Sequence, residues 1–206
     1  MIKLYWCPLT RASRAMWLLE EIGCDYELVH VDVMGGDSRD DPAFRAASPM
    51  GKVPALDIDG TTLWDSSAIS LYLADRFPDA KLAPGLDDPL RARYLFWMVF
   101  TPGMLEPALM EKFYEIEPNK RSNGWGDYDS TVNLLLDGLA QGPWLLGERF
   151  SAADILVGSS VCFLRTLSAL PEHEALAGYA ERCLARPAYQ QALAKDEEFA
   201  PQKERS

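Results

Sequence analysis

Cys7 stands where one pattern of residues stops and another starts. Ile2 to Trp6 is a short apolar run, Cys7-Pro8 ends it, and a helical pattern follows through Ala15, Met16, Leu18, Leu19 and Ile22. A thiol at a helix N-terminus can be a nucleophile, because the positive helix end or a nearby cation lowers its pKa from about 8.5 by several units. Arg11 and Arg14 are close in sequence. "CPLT" keeps the spacing of a Cys-x-x-Cys redox pair with the hydroxyl of Thr10 in the second position. Such a site cannot close its own disulfide and would work through a mixed one. The plainer reading of Cys7 is a small apolar side chain filling a corner.

Two further stretches could hold a ligand. In "WDSSAI", Asp65 and Ser66 open a helix. They suit an N-cap, and the same free N–H groups and positive helix end attract a carboxylate. In "GKVPAL", Lys52 precedes Val53-Pro54. Proline donates no ladder hydrogen bond, so Pro54 belongs at a strand start on an edge. Lys52, with Arg11 and Arg14, is a candidate cation for an anionic ligand; a solvated surface charge is the plainer reading.

The elements that must position these residues follow from the pattern. Strands are expected at 2–6, 26–33, 53–59 and 61–65, the last two joined by the hairpin signal Asp59-Gly60. Helices are expected from Thr10 to Ile22, with Gly23 as a left-handed cap, for one or two turns in "PAFRAA", and from Ser66 to Phe77. The order is β-α-β-α-β-β-α. A Pro- and Gly-rich linker, 78–88, then gives way to helices alone. One runs through Arg91, Tyr94, Leu95 and Met98 and should be kinked or interrupted at Pro102 and Pro107. Others cover 127–140, 150–170, 173–185 and 188–195, with a charged, frayed tail from Lys195. Ser151 and Asp154 have capping-box spacing.

Composition narrows the class. The 206 residues are 48% hydrophobic and 25% charged, as in a globular protein. The formal net charge of −11 disfavours nucleic acid and anionic membrane surfaces, so an anionic small molecule would need a local basic patch. There is no membrane-length apolar stretch and no secretory leader pattern. Cys7, Cys24, Cys162 and Cys183 have no metal-ligand spacing, and a cytoplasmic, reducing setting fits them.

"LYWCPLTRASRAMWLLEEIG", "SPMGKVPAL", "WDSSAISLYLADRFP" and "WLLGERFSAADI" occur in this order over nearly the whole length. Together they make the chain resemble the cytosolic glutathione transferases, of a bacterial type with an omega- or tau-like Cys-Pro start. The resemblance implies an α/β plus all-α fold. A thioredoxin-like glutathione-binding domain would span 1–77 and an all-helical C-terminal bundle 89–206.

It also implies roles. Val53-Pro54 would be cis, with the Val53 backbone pairing with glutathione like an added strand. Lys52 would meet the glycine carboxylate, Ser66 the γ-glutamyl carboxylate and Asp65 the ammonium, although the family more often has Glu there. Cys7 falls where omega-class members carry a catalytic cysteine and tau-class members a serine. Thr10 falls where some bacterial relatives have a second hydroxyl, so either could face the glutathione sulfur; Tyr5 lies inside the strand and is discounted. A hydroxyl would favour conjugation of glutathione to a small apolar electrophile, a cysteine thiol transfer with a disulfide. Trp97, Phe100, Met104, Phe113 and Tyr114 would wall the second-substrate pocket, expected between the domains. The family's other traits are a detoxifying role, glutathione as co-substrate without a metal, and a homodimer in which one subunit's N-terminal domain meets the other's helical domain. A non-catalytic binding or scaffold protein on the same fold is the alternative.

Overall fold

The computed structural model describes residues 1–33 and 35–199. They form two compact units, one of 1–80 with the segment from Arg186 onward, the other Lys81–Ala185.

In the first unit, β1 (Ile2–Trp6), β2 (Glu27–His30), β3 (Ala55–Ile58) and β4 (Thr61–Trp64) make one mixed sheet in the order β2-β1-β3-β4. β1 runs parallel to β2 and antiparallel to β3, which is antiparallel to β4. Asp59 and Gly60 both take positive φ, 52° and 85°, the two-residue turn whose twist suits a hairpin. Tyr5, Phe44, Ala47 and Ala55 are buried together, with Val29, Val33 and Val53 against them.

Helices α1 (Ala12–Ile22), α2 (Pro42–Ala47) and α3 (Ser66–Arg76) accompany the sheet. Gly23, at φ 73°, closes α1 by donating its N–H to Leu19 O at 3.0 Å. The start of α1 differs from expectation: the first helical residue is Ala12, because Thr10 is occupied in a turn ahead of it. The strands are also shorter than their apolar runs, 27–30 for the second and 55–58 for the third.

In the second unit, helix α4 (Arg91–Phe100) passes through a π-helical stretch, Thr101–Leu105, into α5 (Glu106–Phe113). Pro102 and Pro107 lack the N–H a regular ladder needs, and the wider turn absorbs the defect. Helices α6 (Tyr128–Leu139), α7 (Ala152–Thr166) and α8 (Glu174–Leu184) complete it. Only isolated bridges at 144–149 break the helical pattern among the described residues.

The last helix, α9 (Pro187–Phe199), packs on α1 in the first unit. Arg186 grips Glu21 with Nε at 2.5 Å and Nη2 at 2.7 Å, and Tyr189 meets Trp17 edge-on at 4.9 Å. Lys195 Nζ reaches Glu20 at 2.5 Å and Tyr26 Oη at 3.1 Å. The helical domain expected over 89–206 therefore loses its last helix to the first unit. Fraying from Lys195 is also corrected, since the helix continues to Phe199; residues 200–206 lie outside the described ones.

Ser151 and Asp154 form the capping box of α7. The Asp154 carboxylate is fully buried and accepts from Leu145 N–H at 2.9 Å, Ser151 N–H at 3.0 Å and Tyr179 Oη–H at 3.0 Å. Burial outweighs these bonds and pushes its pKa up to about 6. An unfolded Asp titrates near about 4, so between these values the folded chain holds the extra proton. The favourable part of this linkage is complete below about pH 4 and is lost as pH rises through about 6. At pH 7, Asp154→Ala should cost about 2–4 kcal/mol, because it strands buried donors and uncaps a helix. Urea unfolding measures this; a change below about 0.5 kcal/mol would contradict the capping role.

Candidate functional site

Tyr5, Ala55 and Trp64 lie side by side across β1, β3 and β4. Every candidate residue of the first unit is tied to this row through the chain. Cys7 directly follows β1, Val53-Pro54 directly precedes Ala55, and Asp65-Ser66 directly follows Trp64. Sheet pairing thus gathers three sequence-distant segments at one end of the sheet.

Cys7 is buried, at 7% exposure. Thr10 folds the turn after it: its Oγ1 donates to Cys7 O at 2.7 Å and accepts from Ala12 N–H at 3.2 Å. Thr10 O accepts from Ser13 N–H at 3.3 Å, and Arg11 O from Arg14 N–H at 3.2 Å. The first N–H groups of α1 are therefore bonded to Thr10 and Arg11. The Thr10 hydroxyl has one proton, and it is spent on Cys7 O. Leu9, between them, takes a left-handed φ of 59°, and its N–H is bonded to Asp196 Oδ2 at 3.0 Å.

The second segment is shaped by Ser48, which is fully buried. Its Oγ donates to Lys52 O at 2.7 Å and accepts from Lys52 N–H at 2.9 Å, pinning the loop that leads into the cis Val53-Pro54 bond. The Lys52 side chain is exposed and Val53 half-buried. Gly51 has φ 64°, and a Cβ there would collide with Arg45 Nη1 and lie 3.5 Å from Arg39 Nε. Two arginines thus stand beside Gly51, the residue before Lys52, in a chain of formal net charge −11. Ser48, Arg39 and Arg45 were not singled out in the sequence; only the turn residue Gly51 hints at a close approach there.

In the third segment, Asp65 holds φ 77° and ψ 128°, a strained conformation for a side-chain-bearing residue. Its Oδ1 caps α3, accepting from Ser67 N–H at 2.8 Å and Ala68 N–H at 3.1 Å. Ser66, buried, accepts from Arg14 Nη1 at 3.3 Å. That bond joins α1 to α3 and leaves the Ser66 hydroxyl proton free to be donated elsewhere, beside a buried cation. Arg14 is therefore more than one charge in a basic patch.

Tyr5 packs on Phe44 at 5.6 Å, and burial, followed by the nearby Asp57, pushes its phenol pKa up. It is a core residue, as its place in β1 implies. Of the five proposed pocket residues, Trp97 and Phe100 are core rings 4.9 Å apart, and Trp97 fills the space over Gly138. Met104 is half-buried, while Phe113 and Tyr114 are exposed. No cluster of metal-ligating side chains occurs among the described residues.

Comparison with known proteins extends this geometry. The sequence model of the glutathione S-transferase N-terminal domain matches residues 6–76. The disulfide-bond oxidoreductase YfcG of Escherichia coli (strain K12) is 32% identical over 210 residues, with 95% of each chain covered. The glutathione S-transferase GstA of Escherichia coli O157:H7 is 27% identical, covering 95% of this chain and 98% of its own. Among solved structures, a glutathione transferase from Methylococcus capsulatus superposes with a TM-score of 0.78 at 30% identity, covering 96% of this chain and 100% of its own. A sphingomonad glutathione S-transferase complexed with glutathione gives 0.73 at 30% identity, over 95% and 98%.

The doubly bonded Thr10 hydroxyl sets a first test of this site. Thr10→Val should remove both bonds and cost about 1–2 kcal/mol in urea unfolding, whereas Thr10→Ser should keep most of the stability. Equal losses in both variants would show that the hydroxyl does not hold the turn.

Proposed function

The chain belongs to the glutathione S-transferase family, and from that premise we propose that its first unit binds glutathione at the end of the sheet and that Cys7 carries its chemistry. It is a glutathione-dependent enzyme of the transferase and thiol-transfer kind.

The Ser66 hydroxyl and N–H hold the γ-glutamyl carboxylate, with the Arg14 cation behind them. Asp65 uses Oδ1 as a helix cap and offers Oδ2 to the ammonium, so its short side chain serves both ends. The Val53 backbone, ahead of the ladder that begins at Ala55, pairs with the cysteinyl backbone as an added strand would. Lys52 meets the glycine carboxylate, and Arg39 and Arg45 raise the local positive potential that a peptide anion needs in an acidic chain.

The observation that carries the choice of Cys7 is the hydrogen bond from Thr10 Oγ1 to Cys7 O at 2.7 Å. With no ligand bound, the Thr10 hydroxyl is turned to the backbone and not outward, which supports the thiol over the hydroxyl as the reactive group. The Cys7 thiolate attacks the glutathione sulfur of a glutathionyl disulfide, the S–S bond breaks, and the other sulfur leaves as a thiolate. Glutathione thiolate then attacks the Cys7 mixed disulfide, releasing glutathione disulfide and restoring Cys7. The oxidoreductase name of the 32%-identical relative supports this thiol–disulfide reading.

Met104, Phe113 and Tyr114 keep the surface needed to serve as apolar walls for a second substrate, a small electrophile or disulfide. The reading includes a homodimer acting in the cytoplasm in a detoxifying role. No helix among the described residues is long and apolar enough to cross a membrane.

Two experiments test the roles. Ser66→Ala should raise the glutathione Kd about tenfold or more by calorimetry, from loss of a charge-assisted hydrogen bond; an unchanged Kd would place the γ-glutamyl group elsewhere. Cys7→Ser should abolish turnover of a glutathionyl mixed disulfide yet keep conjugation of an aryl halide, because serine can donate to a thiolate but cannot form a disulfide. Cys7→Ala should lose both, and full turnover of both substrates by Cys7→Ala would overturn the assignment.

A further inference from the structure

The turn that carries Cys7 is bonded to a residue nearly the whole sequence away. Leu9 N–H donates to Asp196 Oδ2 at 3.0 Å. Leu9 has reason to need an anchor. It holds a left-handed φ of 59°, which disfavours a residue with a Cβ, and its side chain is 77% exposed, so packing does not hold it there.

Asp196 has an equally unusual setting. It is 5% exposed, and its Oδ1 is buried without a hydrogen-bond partner. A buried carboxyl with one oxygen unpartnered is a poor device for stabilising a fold. Stability of this contact is supplied elsewhere, by Arg186, just before α9, on Glu21 and, on α9 itself, by Tyr189 on Trp17 and Lys195 on Glu20. Those contacts all meet α1. Asp196 alone among them meets the loop before α1, two residues from the thiol.

We propose that Asp196 is a positioning residue for Cys7: by accepting from Leu9 N–H it holds the Cys7–Thr10 turn in the conformation that presents the sulfur. Thr10 fastens the far side of the same turn, to Cys7 O and Ala12 N–H. Leu9 is the one residue of the turn in a left-handed conformation, so it is the point at which the turn would relax if released. The last helix thereby acts on the chemistry without touching substrate. The inference rests on the reading of Cys7 as the reacting thiol.

The test compares Asp196→Ala with Asp196→Asn, which keeps an oxygen acceptor, and with Lys195→Ala, which loosens α9 but leaves the turn bonded. Three quantities are read below each variant's Tm: kcat for a glutathionyl mixed disulfide, glutathione Kd, and the rate of Cys7 alkylation by iodoacetamide without glutathione. Asp196→Ala should lower kcat about tenfold, alter alkylation about threefold or more, and leave Kd within about twofold. Asp196→Asn should stay within about twofold of the parent in all three, and Lys195→Ala should lower Tm while leaving alkylation unchanged. If Asp196→Ala does not fold, Asp196→Ser, too short to span to Leu9, is read in its place with the same expectations. Parental kcat and alkylation in Asp196→Ala, or an Asp196→Asn as impaired as the Ala variant, would overturn the proposal. Altered alkylation with unaltered kcat, together with full turnover by Cys7→Ala, would overturn the Cys7 role and leave the clamp standing.

Discussion

The pairing of Tyr5 with Ala55 and of Ala55 with Trp64 is the constraint on which the site depends. A strand has a period of two, so a slip of one residue would turn every side chain of that strand to the other face. It would also displace whatever follows the strand. Cys7, Val53 and Asp65 each adjoin a member or neighbour of this row, so the register sets where all three begin. The register is secured by burial: Leu4, Tyr5, Ala55 and Leu56 are all core residues. Apolar packing thus fixes where the three site segments begin.

Beyond the sheet, position is set by short hydrogen bonds from small side chains. Thr10 ties the Cys7 turn, Ser48 ties the Lys52 loop, and Asp65 caps α3. The Arg14–Ser66 bond then joins the helix after Cys7 to the helix that Ser66 opens. Each side chain has few rotatable bonds, so little entropy is lost in fixing it. The electrostatic layout is equally local. The chain carries formal net charge −11, yet Arg14, Arg39, Arg45 and Lys52 gather around the segments that would meet the two carboxylates of glutathione. Association with an anionic peptide depends on that local field more than on the net charge.

Much of this was legible in the sequence, where the signals are local. Asp59-Gly60 marks its own hairpin, Gly23 its own cap, and Ser151 with Asp154 their own capping box. The strand-then-helix start around Cys7 and the acid-serine helix start at Asp65 were readable for the same reason. The start of α1 was misplaced because Thr10 has good cap chemistry, and the pattern cannot say that its hydroxyl turns back to Cys7 O instead of extending the helix. The partners of Ser66 and Leu9 were not legible at all. Arg14 and Asp196 reach them only after folding, and nothing in the spacing of 14 and 66, or 9 and 196, encodes that. The tail was misread from its charge. Lys195 and Asp196 look solvated in sequence, but both have partners on the first unit. Trp97 and Phe100, expected as pocket walls, are buried rings of the second unit, a setting that aromatic spacing alone does not reveal.

The central claim is that Cys7 is the thiol that exchanges with glutathione, and exposure of the protein to glutathione disulfide tests it most directly. Attack by the Cys7 thiolate would join one glutathione to the protein and release the other as the thiol. Peptide mapping by mass spectrometry should find one glutathione per chain, on Cys7, reversed by added glutathione. Cys24, the more exposed thiol, is pushed up in pKa by burial and by Asp25 and Glu20, and should remain unmodified while Cys7 reacts. An adduct on Cys24 with Cys7 untouched would contradict the account.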